Sequence, residues 1–272
     1  MPTLSETQYD IIVTAMTGAT ACLGAALLYF ILVRSTIGKA YHAAMGVASV
    51  VVGFAAFHYL TLLGGFKDSY EHVGGEWIPT GIPFQHSLRY IDWLVTVPLL
   101  LATLVLVLRL ERDEARRLNT RLMVASALMV ALGYPGEVSD DTTIKLAFWA
   151  AGVVPFAYIM YLLWVELNRS LFRYSDEVGL TVARARMTLV VSWMAYPVAY
   201  LFPILGLDDA NGDVLRQGIY STADVVSKAG FGLLVYRVAR ILTEEDELGI
   251  NDKSTRQVDL ADSGRGYDSL GI

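Results

Sequence analysis

The sequence predicts an all-α membrane protein, a bundle of seven transmembrane helices. Three observations predict it. The 272 residues are 54% hydrophobic and only 18% charged, with mean hydropathy +0.46, whereas soluble domains carry about a quarter charged residues. The apolar residues fall in seven long runs, and a bilayer core about 30 Å thick needs roughly 20 of them per helix. The linkers between runs are short, so neighbouring helices must alternate in direction.

The runs lie at 9–33, 40–64, 84–108, 120–138, 144–166, 180–204 and 214–242. The first follows a short acidic segment (Glu6, Asp10) without Lys or Arg, unlike a cleavable leader. Helices 3, 5 and 6 carry Pro98, Pro155 and Pro197, each of which frees a carbonyl and predicts a kink. One domain, 1–242, is expected. The polar remainder, 243–272, opens with Glu244-Glu245-Asp246-Glu247 and reads as a disordered tail too short for a signalling domain.

Lys and Arg set the orientation. With the N-terminus outside, the cytoplasmic linkers and helix ends hold Arg34, Lys39, Arg109, Arg112, Arg116, Arg117, Arg121, Arg169, Arg173, Arg184, Arg186, Arg237 and Arg240. The outside holds only Lys67, Lys145 and Arg216, among many carboxylates. The expectation is N-terminus out and C-terminus cytoplasmic, in a multi-pass plasma-membrane protein surrounded by lipid. The single Cys22 excludes a disulfide framework or a cysteine metal site within the chain. Neither a metal nor a nucleic-acid partner is expected.

Ionisable groups deep in membrane helices need a partner or a function. Helix 7 places Lys228 in an apolar stretch (Ala229-Gly230-Phe231-Gly232) with Asp224 one turn earlier on the same face. A structural Asp–Lys pair is the plain reading. An amine in an apolar pocket also suits imine chemistry, for which Asp224 is a candidate counterion. On helix 3, Asp92, Thr96 and Thr103 form one stripe, with Arg89 a turn before Asp92. Arg89, Asp92, Asp224 and a protonated Lys228 sum to zero charge, which makes such a cluster tolerable in low dielectric. His58 on helix 2 is either an interhelical hydrogen-bond partner or, beside Asp92, a group that tunes it. Trp93, Trp149, Trp193, Tyr196 and Tyr200, with Gly133 leaving room, read as core packing or as a slot for a flat conjugated ligand.

The segments Arg89-Tyr90-Ile91-Asp92-Trp93-Leu94-Val95-Thr96-Val97-Pro98, Trp193-Met194-Ala195-Tyr196-Pro197 and Asp224-Val225-Val226-Ser227-Lys228 resemble those of the microbial rhodopsins. Gly133-Tyr134-Pro135-Gly136-Glu137 and His58-Tyr59 resemble the proteorhodopsin and xanthorhodopsin branch. The resemblance implies all-trans retinal as chromophore and a light-driven outward proton pump rather than an enzyme. It implies Lys228 as Schiff-base lysine, Asp92 as counterion and proton acceptor, Asp224 as second counterion, Arg89 as gate to the outside and His58 as partner of the acceptor. It also implies a pocket of Tyr90, Trp93, Thr96, Leu100, Met129, Gly133, Trp149, Gly152, Phe156, Trp193, Tyr196, Pro197, Tyr200, Tyr220 and Ser227. A homo-oligomer, pentamer or trimer, follows by analogy alone.

The sequence departs from that pattern at informative places. Where pumps of this branch carry a carboxylic donor, eleven residues after the acceptor, stands Thr103. Reprotonation without a donor should be slow, and a slow cycle suits the alternative, a photosensor of the same fold with a separate partner. Trp149 stands where carotenoid-binding relatives have glycine, so a carotenoid antenna is not expected. Leu100 and Ser227 have opposed effects on colour. Asp92 argues against a chloride pump, and Thr96 with Asp92 against a sodium pump. A retinal-free transporter or receptor would use the buried ion pair structurally.

Overall fold

A computed structural model describes residues 1–249. Seven helical rods make up the bundle. Four are single helices before the fifth: α1 (Glu6–Val33), α2 (His42–Asp68), α3 (Leu88–Leu108) and α4 (Arg112–Glu137). α5 starts as Thr142–Tyr161 and passes through a π-helical turn, Leu162–Glu166, into a last turn, Asn168–Leu171. α6 is Asp176–Tyr200. α7 starts as Ala210–Asp224, loosens into a π-helical segment, Val225–Gly230, and continues as Phe231–Glu247.

Local chemistry starts several of these rods. Ser5 caps α1 in a reciprocal box with Gln8, and Asp141, Ser175 and Asp209 cap α5, α6 and α7 through their side chains. The proline helices run through Pro98, Pro155 and Pro197, and α4 also contains Pro135. Each rod packs on the next in sequence, and α7 closes the ring against α1. α3 also touches the second half of α7. Most of α3 is therefore buried, while α1 and α5 present apolar side chains such as Leu28, Leu32 and Val154 outward, as a lipid-facing surface requires.

By length and composition alone, four rods qualify as membrane spans among the described residues: α1, α2, α3 and α5. The other three expected runs lie in α4, α6 and α7, which carry more charge than the four. α4 opens with Arg112, Asp113, Glu114, Arg116 and Arg117; α6 carries Arg184 and Arg186; α7 carries Asp224, Lys228, Arg237 and Arg240. Their apolar faces suffice once the bundle surrounds the charge.

Two further differences appear. α7 extends to Glu247, past the expected boundary at 242, because Arg240 pairs with Glu244 and Tyr41 donates to Asp246 at 2.6 Å. The rest of the expected tail, 250–272, lies outside the described residues. The α2–α3 linker is a hairpin, β2 (Tyr70–Val73) and β3 (Glu76–Pro79), that pairs with β1 (Leu4–Ser5) in the antiparallel order β1–β3–β2. Gly74 and Gly75 both have positive φ, 64° and 90°, the backbone that a two-residue hairpin turn demands. Trp77 stacks on Tyr9 with centroids 3.6 Å apart, holding this sheet over one end of the bundle.

Candidate functional site

α3 and α7 face each other across the middle of the bundle, and their charged residues meet there. Lys228 Nζ contacts Asp224 Oδ1 and lies 3.1 Å from Asp92 Oδ2. All three side chains are buried. The π-helical segment begins directly after Asp224 and contains Lys228.

The two carboxylates have unlike surroundings. Asp224 Oδ2 accepts from the Tyr59 hydroxyl at 2.7 Å and lies 3.9 Å from Arg89 Nη1; Oδ1 accepts from Tyr196 at 2.8 Å and from Trp93 Nε1 at 3.3 Å. Asp92 has a sparser shell. Its Oδ2 receives Lys228 and, at 3.4 Å, the Thr96 hydroxyl, while its buried Oδ1 has no hydrogen-bond partner among the described residues.

Arg89, a turn nearer the sheet end, turns to α7 rather than to Asp92. Its Nη1 donates to Tyr59 at 3.1 Å, its Nη2 to Gln217 at 2.6 Å, and its guanidinium carbon lies 5.2 Å from the Tyr220 ring centre. Sequence reading names Tyr59 only inside the His58-Tyr59 motif, without a role, and does not name Gln217. Gln217 stands seven residues before Asp224 and eleven before Lys228, on one face of α7, and that spacing was a usable signal. Tyr59 carried none beyond its place next to His58.

A deep apolar cavity opens beside Lys228. Its walls include Tyr90, Trp93, Leu100, Met129, Gly133, Trp149, Gly152, Phe156, Trp193, Tyr196, Pro197, Tyr200, Tyr220 and Ser227, and in addition Val97, Val130, Phe148 and Val153, which sequence reasoning missed. Trp149 is fixed by donating to the Pro197 carbonyl at 3.0 Å. The Gly133 backbone lies so near Tyr90 that a β-carbon there would meet the ring at 3.1 Å. One primary amine at a polar end and aromatic walls along the rest suit an extended conjugated aldehyde such as retinal.

Two expectations are corrected. Thr96 is not among the residues that line the cavity; its hydroxyl donates to the Asp92 carbonyl at 2.8 Å and lies 3.4 Å from Asp92 Oδ2, the oxygen that faces Lys228. His58 lies near Asp92 without a hydrogen bond to it: its buried Nδ1 has no partner among the described residues, and its ring packs on Phe54 with centroids 4.7 Å apart. Thr103 lies fully buried on the side of Asp92 away from the sheet, its hydroxyl committed to the Leu99 carbonyl at 2.7 Å.

The profile of the bacteriorhodopsin-like protein family matches residues 11–242. A green-light absorbing proteorhodopsin from the gamma-proteobacterium EBAC31A08 is 29% identical over 248 residues, covering 88% of this chain and 92% of its own. Bacteriorhodopsin from Halobacterium salinarum is 30% identical over 233 residues, 84% of this chain and 83% of its own. Among solved structures, thermophilic rhodopsin superposes with a TM-score of 0.88 at 36% identity, over 90% of this chain and 99% of its own. Xanthorhodopsin, described as a light-driven ion pump with dual chromophore, gives 0.86 at 34% identity, over 91% and 99%.

Proposed function

The chain belongs to the bacteriorhodopsin-like family, and from that membership we propose that it is a light-driven outward proton pump with retinal held on Lys228. Retinal is the chromophore of this family. When bound, it supplies an aldehyde that condenses with the Lys228 amine and a polyene whose light-driven isomerisation, from all-trans, reorients the proton on that nitrogen. Every other task falls to the side chains.

The observation that carries the reading is the inequality of the two carboxylates. Asp224 is committed to Tyr59, Tyr196, Trp93 and Lys228, so it holds the positive nitrogen in place as an anchored counterion. Asp92 touches the same nitrogen at 3.1 Å, and no described side chain or backbone group bonds its other oxygen. It can take a proton without giving up a hydrogen bond. Arg89, between this pair and the sheet end, gates the route onward through Gln217. The distribution of Lys and Arg supports the sheet end as the outside and the C-terminus as cytoplasmic.

On the cytoplasmic side Thr103 has no titrating group to offer, so the returning proton comes from bulk water or a water chain. Recovery is then slow at alkaline pH, and azide accelerates it. The Thr103 side chain also favours a second reading, a photosensor with a separate partner. Trp149, clamped to the Pro197 carbonyl, fills the place that a carotenoid ring would need. By analogy the protein assembles in the plasma membrane as pentamers or trimers.

Illuminating liposomes or cells that carry the retinal-loaded chain tests the pump. The expected result is a protonophore-sensitive pH change that Asp92→Asn abolishes, together with a visible band that Lys228→Ala abolishes. A band without any pH change replaces the pump with the sensor; no Lys228-dependent band refutes both.

A further inference from the structure

Beyond Arg89, toward the sheet end, lies a second guanidinium among groups that the steps above do not use. Arg216 Nη2 donates to Asp213 Oδ1 at 3.0 Å and to His86 Nε2 at 3.2 Å, and Arg216 Nη1 lies 3.8 Å from Glu137 Oε1. The Arg216 and Glu137 side chains are only 13% and 12% exposed. Arginine can only donate, so His86 Nε2 accepts and Nδ1 carries the hydrogen, buried and without a partner. Burial first, then the Arg216 and Arg89 charges, holds this imidazole well below its ordinary pKa. It is therefore a neutral acceptor at physiological pH.

Arg216 thus ties together three parts of the fold: the first turn of α7, the end of α4 and the segment leading into α3. Its neighbour Gln217 accepts the bond from Arg89. Two guanidinium groups share the exit end, Arg89 turned in on Tyr59 and Asp224, Arg216 turned out on Glu137, Asp213 and His86. Like charges so arranged restrict each other, because an outward swing of Arg89 would bring it toward Arg216 in a poorly solvated space.

Resting on the pump reading, we propose that Arg216 is a positioning residue of the proton exit: it locks α7 to α4 and to the α3 entrance, and its fixed charge keeps Arg89 turned inward on Asp224. Asp92 reports on this lock. The groups that face it are Lys228 and Asp224 on α7, the Thr96 hydroxyl on α3 and His58 on α2, and Arg89 acts on it through Asp224. Arg216 precedes Asp224 by eight residues, about 12 Å of helix rise. At an effective dielectric constant of about 20, one charge at that distance moves a carboxyl midpoint by about one pH unit, and release of Arg89 adds to it.

The experiment titrates the retinal-loaded full chain and follows the colour change as Asp92 protonates. Arg216→Gln should raise the midpoint by at least about one pH unit; Glu137→Gln, which removes a negative charge, should lower it; Arg216→Lys should restore the parent value. In an Arg89→Gln background the Arg216→Gln shift should be smaller than in the parent, because only the direct effect of the Arg216 charge is left. Shifts of the same sign in both Gln variants, no shift, or an undiminished shift in the Arg89→Gln background overturns the proposal. If Arg216→Gln does not fold, Glu137→Gln alone decides, and an upward or absent shift refutes the lock. A chain without a visible band, or one whose colour titration survives Asp92→Asn, fails at the pump reading instead.

Discussion

Replacing Tyr59 with phenylalanine removes one oxygen from the centre of the bundle and leaves its ring in place. That oxygen donates to Asp224 at 2.7 Å and accepts from Arg89 at 3.1 Å, and the residue is fully enclosed. Hydrogen bonds to charged groups contribute about 1.5–3 kcal/mol each, and a partner left unsatisfied in the interior costs about as much. The two losses are not additive, because Arg89 already lies 3.9 Å from Asp224 and can close part of the gap. A net loss of about 2–4 kcal/mol is expected, which in a domain of this size lowers the melting temperature by roughly 4–16 °C. The assay is thermal loss of helical circular dichroism in detergent at one scan rate, since such unfolding is often irreversible. Tyr41→Phe at the opposite end, which removes a partly exposed bond to Asp246, serves as the control. A drop for Tyr59→Phe of under about 2 °C, or one no larger than the control, would refute the claim that this hydroxyl holds the Asp224–Arg89 pair together.

Two other outcomes follow from the geometry. Thr103→Asp puts a titrating carboxyl on the cytoplasmic side of Asp92; flash spectroscopy should show faster recovery at alkaline pH and a weaker response to azide than in the parent, and unchanged kinetics would count against a donor-less route. Gly136→Ala adds a β-carbon onto the Tyr200 hydroxyl and within 2.9 Å of the Phe148 β-carbon, both on the cavity wall. Overpacking of this kind costs about 1–3 kcal/mol, and thermal melting together with a shifted visible band should reveal it; a variant as stable as the parent with an unmoved band would contradict the packing.

Much of this protein is legible in the chain itself. Apolar runs of bilayer length announce the seven rods, because lipid leaves a backbone few options but the helix. A lysine that cannot reach water announces the centre, and the four-residue step from Asp224 to Lys228 puts both on one face before any packing is known. Spacing inside one helix also collects most of the cavity wall, since the aromatic residues recur where a single face would need them.

Packing alone chose the rest. That Tyr59 bonds Asp224 while His58, one residue earlier, faces Asp92 without a hydrogen bond depends on the rotation of α2 in the bundle. Thr96 shares a stripe with Asp92 yet bonds its own helix, while Gln217 becomes the hinge between Arg89 and Arg216 only because α3 and α7 meet at that height. The unequal shells of Asp92 and Asp224 have the same origin: four helices supply side chains to that site, and their relative placement is a property of the assembled bundle, written in no single segment.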